Sequence, residues 1–424
     1  MHTRHASRPV RTAAAASILT AAALVVSGCA SGSNSSSTDP DEPVTLSYAI
    51  WDGNQQPAME AIAAAFTEEH PNVTIDIQLT AFQDYWTKLQ TAASGGGAPD
   101  VFWMNGPNFQ LYASNGVLAP MDGLDTAVYP KGLVDLYTYE GTVYGAPKDL
   151  DTIGVWYNTE LFDAAGVAYP EAGWTWDDFR ETVTALTDPD AGVWGVVAAP
   201  YNQMEYYNTI YQAGGEVIDA AGTQTGFGTP EALEGVTFWT DFIENGESPS
   251  AQQMTDTEPN SIFQSGLAAM FWNGSWAGGG YASDEAFADA VNVAPLPAGP
   301  AGNQSVVHGL ANVAYADGEH LDVALEFAEF ASGEFAAITQ AESGTVIPAY
   351  DGTQDAWVQA LPQYDLQVFI DALDTAVPYP VSKNTSAWVS VEGEVITQIW
   401  AGNVSAEEGL QDLAARVQDA LDKE

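Results

Sequence analysis

Residues 44–104 alternate between strand and helix patterns, and this alternation constrains the fold more than any other feature of the chain. Alternating apolar residues predict strands over 44–50 and 73–79, and a short apolar run predicts a third strand over 101–104. The two intervening segments carry apolar residues at helical spacing. A β-α-β-α-β unit of this kind packs as parallel strands joined by right-handed crossovers. The chain therefore predicts an α/β fold.

A second informative stretch runs from Tyr144 to Asn158. It opens with a Gly-Pro turn signal, carries Asp149 and Asp151, and continues as an apolar run over 153–157. Residues two apart in an extended chain project to the same face, so the two carboxylates are expected to point together just before a buried strand. Taken alone, this pattern fits a catalytic pair of acids as well as a connection between two domains.

The charge of the chain excludes several partners. The sequence has 10 basic and 57 acidic residues, a formal net charge of −47. Nucleic acid would be repelled by such a chain, so we expect no nucleic-acid partner, and anionic ligands are disfavoured too. The acidic side chains are expected to form a solvated surface that keeps the protein soluble.

The N-terminus has the features of an export signal. A basic start is followed by an apolar run of about fifteen residues, too short to span a bilayer comfortably. The sequence Val26-Ser27-Gly28-Cys29 resembles a bacterial lipobox, which implies cleavage of residues 1–28 and lipid modification, such as palmitate, on Cys29. Residues 29–43 then form a flexible tether rich in Ser and Gly. We expect a protein anchored at the cell surface, on the outer face of the cytoplasmic membrane; the alternative is an ordinary secreted chain cut nearby.

Motifs for catalysis and metal binding are missing from the sequence. It contains no H-E-x-x-H, no G-x-S-x-G and no P-loop motif. The histidines beyond the signal are His70, His308 and His320, which are far apart along the chain. We therefore expect no metal, no cofactor and no enzymatic activity.

Segments along nearly the whole mature chain resemble the extracytoplasmic sugar-binding proteins of bacterial ABC importers, of the maltose-binding type. No single segment is specific, but their order and spacing match together. The matching segments are 48–53, 88–102, 116–120, 144–147, 165–167, Trp156-Tyr-Asn-Thr-Glu-Leu-Phe162, Trp174-Thr-Trp-Asp-Asp178, Ala268-Ala-Met-Phe-Trp-Asn-Gly-Ser-Trp276 and the tail around Trp388.

The resemblance implies a two-lobe periplasmic-binding-protein-like fold (type II), in which each lobe is a mixed sheet flanked by helices and the ligand cleft lies at the hinge. Lobe 1 would comprise residues 44–150 and 313–342, and lobe 2 residues 151–307 and 348–424. The chain would cross the hinge near 150–154, 308–312 and 343–347. The implied function is capture of a neutral mono- or oligosaccharide by a monomer that delivers it to ABC permease subunits.

A site for a neutral sugar needs flat aromatic rings and planar polar side chains with few full charges. The resemblance places a ligand acid at Asp151 and stacking rings at Trp276 and Trp388, although a structural acid and core tryptophans are the plain alternatives. The remaining candidates are polar residues after strands, two tyrosines of the second lobe and a glycine that lets backbone approach a ligand: Asn54, Gln55, Asn105, Tyr206, Tyr207 and Gly309. For His308, a structural role is as plausible as ligand contact.

Two other functions stay open. A binding protein for peptides or another small solute fits the same fold, and a secreted glycoside hydrolase would need two carboxylates about 5–5.5 Å or 6.5–9.5 Å apart across a scissile bond. Asp149 and Asp151 follow one another on one strand, which does not place them on opposite sides of a sugar. Asn54 and Gln55 replace an acid and a lysine often seen in the maltose-binding type, so the identity of the sugar stays open.

Overall fold

The computed structural model describes residues 43–424; the predicted signal peptide, Cys29 and all but the last residue of the tether lie outside the described residues. The first part of the chain forms the expected alternation of strands and helices. Its elements are β1 (Val44–Ile50), α1 (Gln56–Glu69), β2 (Val73–Leu79), α2 (Phe82–Ser94), β3 (Val101–Asn105) and α3 (Gly106–Ser114). β1 pairs in parallel with both β2 and β3, so the predicted β-α-β-α-β unit is confirmed.

Short elements follow and lead to the Asp149–Asp151 stretch. They are a 3₁₀ turn (Thr126–Val128), α4 (Lys131–Leu136), β4 (Thr138–Tyr139), β5 (Thr142–Val143), β6 (Ala146–Pro147) and β7 (Asp149–Leu150). β6 forms one edge of the first sheet, whereas β7 belongs to a separate two-stranded pair.

A second sheet is built from the middle of the chain. The elements there are β8 (Ile153–Asn158), α5 (Thr159–Ala165), α6 (Trp176–Leu186), β9 (Trp194–Val197), a π-helix (Asn202–Tyr206), α7 (Tyr207–Gln212), α8 (Pro230–Glu244), α9 (Ala251–Asp256), α10 (Pro259–Gln264), β10 (Ala268–Gly274), α11 (Ala277–Ser283), β11 (Val291–Ala294) and β12 (Val306–Val307). The strand order is β11-β8-β10-β9, with β8 antiparallel to both of its neighbours. α6 begins at the N-cap Thr175, which forms a reciprocal capping box with Asp178.

The chain then returns to the first sheet before it ends. The last elements are β13 (Leu310–Ala314), α12 (Leu321–Phe330), α13 (Glu334–Glu342), β14 (Ile347–Pro348), α14 (Gln354–Ala360), α15 (Gln367–Asp371), a 3₁₀ turn (Ala372–Thr375), β15 (Val377–Pro378), α16 (Thr385–Trp400) and α17 (Ala406–Leu421). β13 lies antiparallel between β3 and β6, which gives the first sheet the order β2-β1-β3-β13-β6. β12, which comes just before β13 in the chain, does not join this sheet and pairs with β15 instead.

Large aromatic rings fill the interior beside each sheet. Tyr48 packs edge-on against Phe327 with ring centroids 5.1 Å apart, and Trp239 packs against Trp272 at 4.8 Å. Such pairs combine a large buried area with a favourable ring geometry. Much of the tryptophan content therefore stabilises the hydrophobic cores. None of the helices within residues 43–424 is long and apolar enough to cross a membrane.

The three segments expected to cross the hinge lie side by side. β7 pairs with β14, and the backbone N–H of Asp151 donates to the carbonyl oxygen of His308 at 2.8 Å. A Cβ atom on Gly309 would lie 2.3 Å from the carbonyl oxygen of Asp149. Gly309 is therefore needed so that two of these segments can approach each other, and approach of its backbone to a ligand stays a prediction.

Candidate ligand-binding site

A cleft of about 490 Å³ lies beside the second sheet, where β9 and β10 end. Its wall includes Tyr201, Asn260, Asn273 and Trp276, and Asn54 approaches from the loop after β1. The cleft thus collects side chains from the ends of strands of both sheets, the usual place for ligands in open α/β sheets.

A network of amides and one phenol forms the floor of the cleft. The Tyr281 hydroxyl donates to Asn260 Oδ1 at 2.6 Å, and Asn273 Nδ2 donates to the Tyr281 oxygen at 3.0 Å. Asn260 Nδ2 donates to Gln264 Oε1 at 2.9 Å. Burial raises the pKa of Tyr281, so this phenol keeps its proton as a donor. The network orients planar polar groups, which can exchange hydrogen bonds with hydroxyl groups.

The ring of Trp276 forms an aromatic wall of the same cleft. Trp276 is half-buried and stands between β10 and α11. A Cβ atom on Gly274 would lie 2.0 Å from a ring carbon of Trp276, so the ring lies directly across this glycine. Because Gly274 has no side chain, the Trp276 ring can take this position. Among the rings predicted to stack on a ligand, Trp276 is the only one that the structure brings to the cleft.

The charge of the cleft is negative. Glu258 is exposed, and its carboxylate accepts from Ser261 N at 3.0 Å and from the Tyr201 hydroxyl at 3.3 Å. No lysine or arginine of the described chain lines the cleft. An anionic ligand would meet an unfavourable field here, whereas a neutral or cationic ligand would not.

The two polar residues predicted in the loop after β1 differ in their surroundings. Asn54 is exposed, lines the cleft and approaches Gly280 of α11. Gln55 is buried: its Nε2 donates to Asp52 Oδ2 at 2.9 Å, and its Oε1 accepts from Lys148 Nζ at 2.9 Å. The prediction of ligand contact at Gln55 does not fit, because both ends of its amide are bonded within the protein.

Lys148 and Asp149 form a buried ion pair beside the predicted hinge. Asp149 Oδ1 also accepts from the backbone N–H of Leu310 at 2.8 Å. Lys148 Nζ lies 4.4 Å from the centre of the Trp103 ring, in reach of a cation–π contact. The carboxylate of Asp149 is therefore neutralised inside the protein and is not offered to a ligand.

Asp151 is the more accessible of the two acids. Its side chain is 13% exposed, against 4% for Asp149. Its Oδ1 accepts from Gln203 Nε2 at 2.5 Å, and its Oδ2 lies 3.8 Å from His308 Nδ1. Burial raises the pKa of Asp151, and the nearby His308 imidazole opposes that shift. Asp151 does not itself line the cleft, but Gln203 lies between two residues that do, Tyr201 and Met204.

The other predicted contacts have structural roles. Tyr206 and Tyr207 are buried, and their hydroxyls donate to the two carboxylate oxygens of Glu392 at 2.9 and 2.8 Å. Trp388 is fully buried, and its Nε1 donates to Ser382 Oγ at 3.0 Å. These three rings are buried, and the structure does not bring them to the cleft as the predicted platforms.

Asn105 has a structural role, and ligand contact at this residue stays a prediction. It caps α3, because its Oδ1 accepts from the backbone N–H of Asn108 at 3.2 Å. Conversely, the polar floor of Asn260, Asn273 and Tyr281 was not predicted. Asn273 does belong to the matching segment that ends at Trp276, so that segment identified the region although not the residue.

The fold and the cleft define a receptor for a small solute, and comparison with known proteins agrees. The model of the family of bacterial extracellular solute-binding proteins matches residues 52–338, and this chain belongs to that family. A putative binding protein of Brucella abortus is 23% identical over 404 residues, which cover 92% of this chain and 95% of the relative. The maltotriose-binding protein of Pyrococcus abyssi is 29% identical over 255 residues, 58% of this chain and 53% of the relative.

Solved structures share the architecture. An ABC substrate-binding protein from Listeria monocytogenes, in complex with cycloalternan, superposes with a TM-score of 0.84 and 26% identity, over 90% of this chain and all of that one. The predicted two-lobe, periplasmic-binding-protein-like α/β fold and the family inferred from the matching segments are confirmed.

Proposed function

We propose that this protein captures a neutral carbohydrate outside the cytoplasm and delivers it to the permease subunits of an ABC importer. The observation that carries the proposal is the ring of Trp276 beside the amide floor of Asn260 and Asn273, in a cleft without a lysine or arginine among its described lining residues. A sugar presents C–H faces to aromatic rings and hydroxyls to planar polar groups. The Listeria relative with its bound cycloalternan supports the same ligand class.

Capture would proceed by closure of two lobes. We assign residues 44–150 and 313–342 to lobe 1 and residues 151–307 and 348–424 to lobe 2, with the hinge at the adjacent segments near 150–154, 308–312 and 343–347. The pairing of β13 with β3 supports the return of the chain to lobe 1. A ligand that contacts both lobes binds the closed form better and shifts the population toward it.

No bond of the ligand is broken in this function. A glycoside hydrolase would use two available carboxylates across a scissile bond. The pairing of Asp149 with Lys148 removes one of the two candidate acids. We therefore propose binding without catalysis, by a monomer with no cofactor.

Isothermal titration against mono- and oligosaccharides, with a peptide panel alongside, tests the proposal. We expect heat of binding from at least one neutral sugar and none from peptides. Binding of peptides with no heat from any sugar would replace the carbohydrate assignment, and release of reducing ends from a bound oligosaccharide would revive the hydrolase.

Replacing Trp276 by alanine is expected to weaken binding of the best sugar about tenfold to a hundredfold, because an aromatic face of this size contributes about 1.5–3 kcal/mol when it is covered. The dissociation constants are compared by titration. Trp194→Ala is the control, since Trp194 is also half-buried but begins β9 and does not line the cleft. Equal dissociation constants for wild type and Trp276→Ala would remove Trp276 as the platform.

Gly274→Ala is expected to weaken the same binding about threefold to tenfold without any change in a ligand-contacting side chain, because the added methyl group displaces the Trp276 ring. In a Trp276→Ala background the same substitution should cost no further affinity. A loss that persists in that background would show that Gly274 acts in another way.

We also propose that Cys29 carries the lipid anchor, on the basis of the sequence before it; Cys29 lies outside the described residues. In cells fed labelled palmitate, wild type should incorporate label and Cys29→Ser should not. Release of both proteins into the medium in equal amounts would instead indicate an ordinary secreted chain.

A further inference from the structure

The π-helix Asn202–Tyr206 connects the cleft with the predicted hinge. Tyr201, just before it, and Met204 line the cleft, whereas Gln203 reaches Asp151. π-helical turns are rare and are frequently found at functional sites. One irregular turn therefore contacts both the ligand cleft and the segment about which the lobes are expected to move.

The backbone of Gln203 is held firmly. Its carbonyl oxygen accepts from Asn208 Nδ2 at 2.8 Å, and Asn208 Oδ1 in turn accepts from the backbone N–H of Val306 at 2.7 Å. Its own N–H donates to Asn202 Oδ1 at 2.7 Å. Since the backbone is fixed, exchange of the hydrogen bond to Asp151 requires only rotation of the Gln203 side chain.

From Asp151 the polar contacts continue into the first sheet. The backbone N–H of Gly106 donates to His308 Nε2 at 3.0 Å, so that nitrogen carries the lone pair and Nδ1 carries the hydrogen that faces Asp151 Oδ2. Gly106 begins α3 at the end of β3. The series Gln203–Asp151–His308–Gly106 thus runs from the π-helix, across the hinge, to the other sheet.

An amide N–H and a sugar O–H can each donate a hydrogen bond to a carboxylate. Asp149 is unavailable for such an exchange because its partner is a buried ammonium group. Asp151 is held by the neutral amide of Gln203, and part of its side chain is exposed. Replacement of the amide by a hydroxyl would leave the charge of the site unchanged.

We propose that Gln203 is a positioning residue that occupies Asp151 in the ligand-free protein, and that a hydroxyl of the ligand replaces its amide when the lobes close. The inference rests on the proposed function, because it requires a ligand that carries hydroxyl groups. The amide of Gln203 then competes with a ligand hydroxyl for the carboxylate of Asp151. Breaking the bond between Gln203 and Asp151 therefore lowers the affinity for the ligand.

The test uses Gln203→Leu, which keeps the size of the side chain and removes the donor. Dissociation constants for the best sugar and melting temperatures of the ligand-free protein are measured for wild type, Gln203→Leu, Asp151→Asn and the double variant. Gln203→Leu should bind roughly twofold to tenfold tighter than wild type and melt at a lower temperature, and both effects should shrink in the Asp151→Asn background. Gln367→Leu is the matched control, because Gln367 makes an exposed bond of the same kind to Asp371 at 2.8 Å.

Each other outcome overturns the inference. If the changes in melting temperature of Gln203→Leu and Asp151→Asn add up in the double variant, Gln203 and Asp151 are not bonded in solution, and this result does not depend on which ligand binds. If wild type and Gln203→Leu bind the sugar equally tightly, Gln203 has a structural role alone. If the variant binds more weakly, Gln203 is a direct ligand contact. Failure of wild type to bind any sugar would overturn the proposed function itself, and with it the exchange at Asp151.

Discussion

Replacing Lys148 by methionine is expected to lower the free energy of unfolding by about 3–5 kcal/mol, because it leaves the carboxylate of Asp149 buried without its cation. The remaining donor, the N–H of Leu310, does not neutralise the charge. The substitution also removes the ammonium group that holds Gln55, and so loosens the loop that carries Asn54. Denaturant unfolding followed by tryptophan fluorescence measures the loss.

Lys131→Met is the matched control for this prediction. Lys131 pairs with Asp135 on the exposed face of α4, and exposed pairs contribute about 0–1 kcal/mol. The double variant Lys148→Met with Asp149→Asn should recover part of the loss, since no charge is then left buried. A loss for Lys148→Met as small as that for Lys131→Met would show that the pair is not buried in solution.

Replacing Glu392 by glutamine is expected to change the pH dependence of stability. Burial raises the pKa of Glu392 from 4.5 to about 7, against the hydrogen bonds from Tyr207 and Tyr206. The folded state therefore holds a proton that the unfolded state has released, so stability is complete below about pH 4.5 and is lost as the pH rises through 7. Between pH 5 and pH 8 the variant should gain about 2–3 kcal/mol relative to wild type.

The free energies of unfolding of wild type and Glu392→Gln are compared at each pH. Other buried acids such as Glu205 and Asp151 are present in both proteins, so their titration cancels in the difference. Glu394→Gln on the same helix is the control; Glu394 is exposed, and its difference from wild type should stay within about 1 kcal/mol throughout. Parallel stability curves for wild type and Glu392→Gln would show that Glu392 does not titrate in this range.

Features with local causes were predictable from the sequence. The three parallel strands followed from two alternating patterns and one short apolar run. Trp276 was identified through a matching segment, and the structure brings it to the cleft. In each case the residues that determine the feature lie close together in the chain.

Features that depend on distant partners were not predictable. Gln55 is held away from the cleft by its bond to Lys148, and Tyr206 and Tyr207 by their bonds to Glu392 on α16. Nothing near these residues in sequence marks their partners. An aromatic ring or an amide has the same identity in a core as in a cleft, so residue type alone could not separate Trp388 from Trp276.

The strand order also determines when each sheet can be completed if the chain folds from its N-terminus onward. The second sheet uses only residues between Ile153 and Ala294, whereas the first sheet lacks its fourth strand until Leu310–Ala314 has followed. Until then β3 presents an open edge of unpaired backbone groups, which is a template for association with other chains. The strands nearest the N-terminus are therefore the last to have their sheet completed, and the edge of β3 is the place where association with other chains would begin.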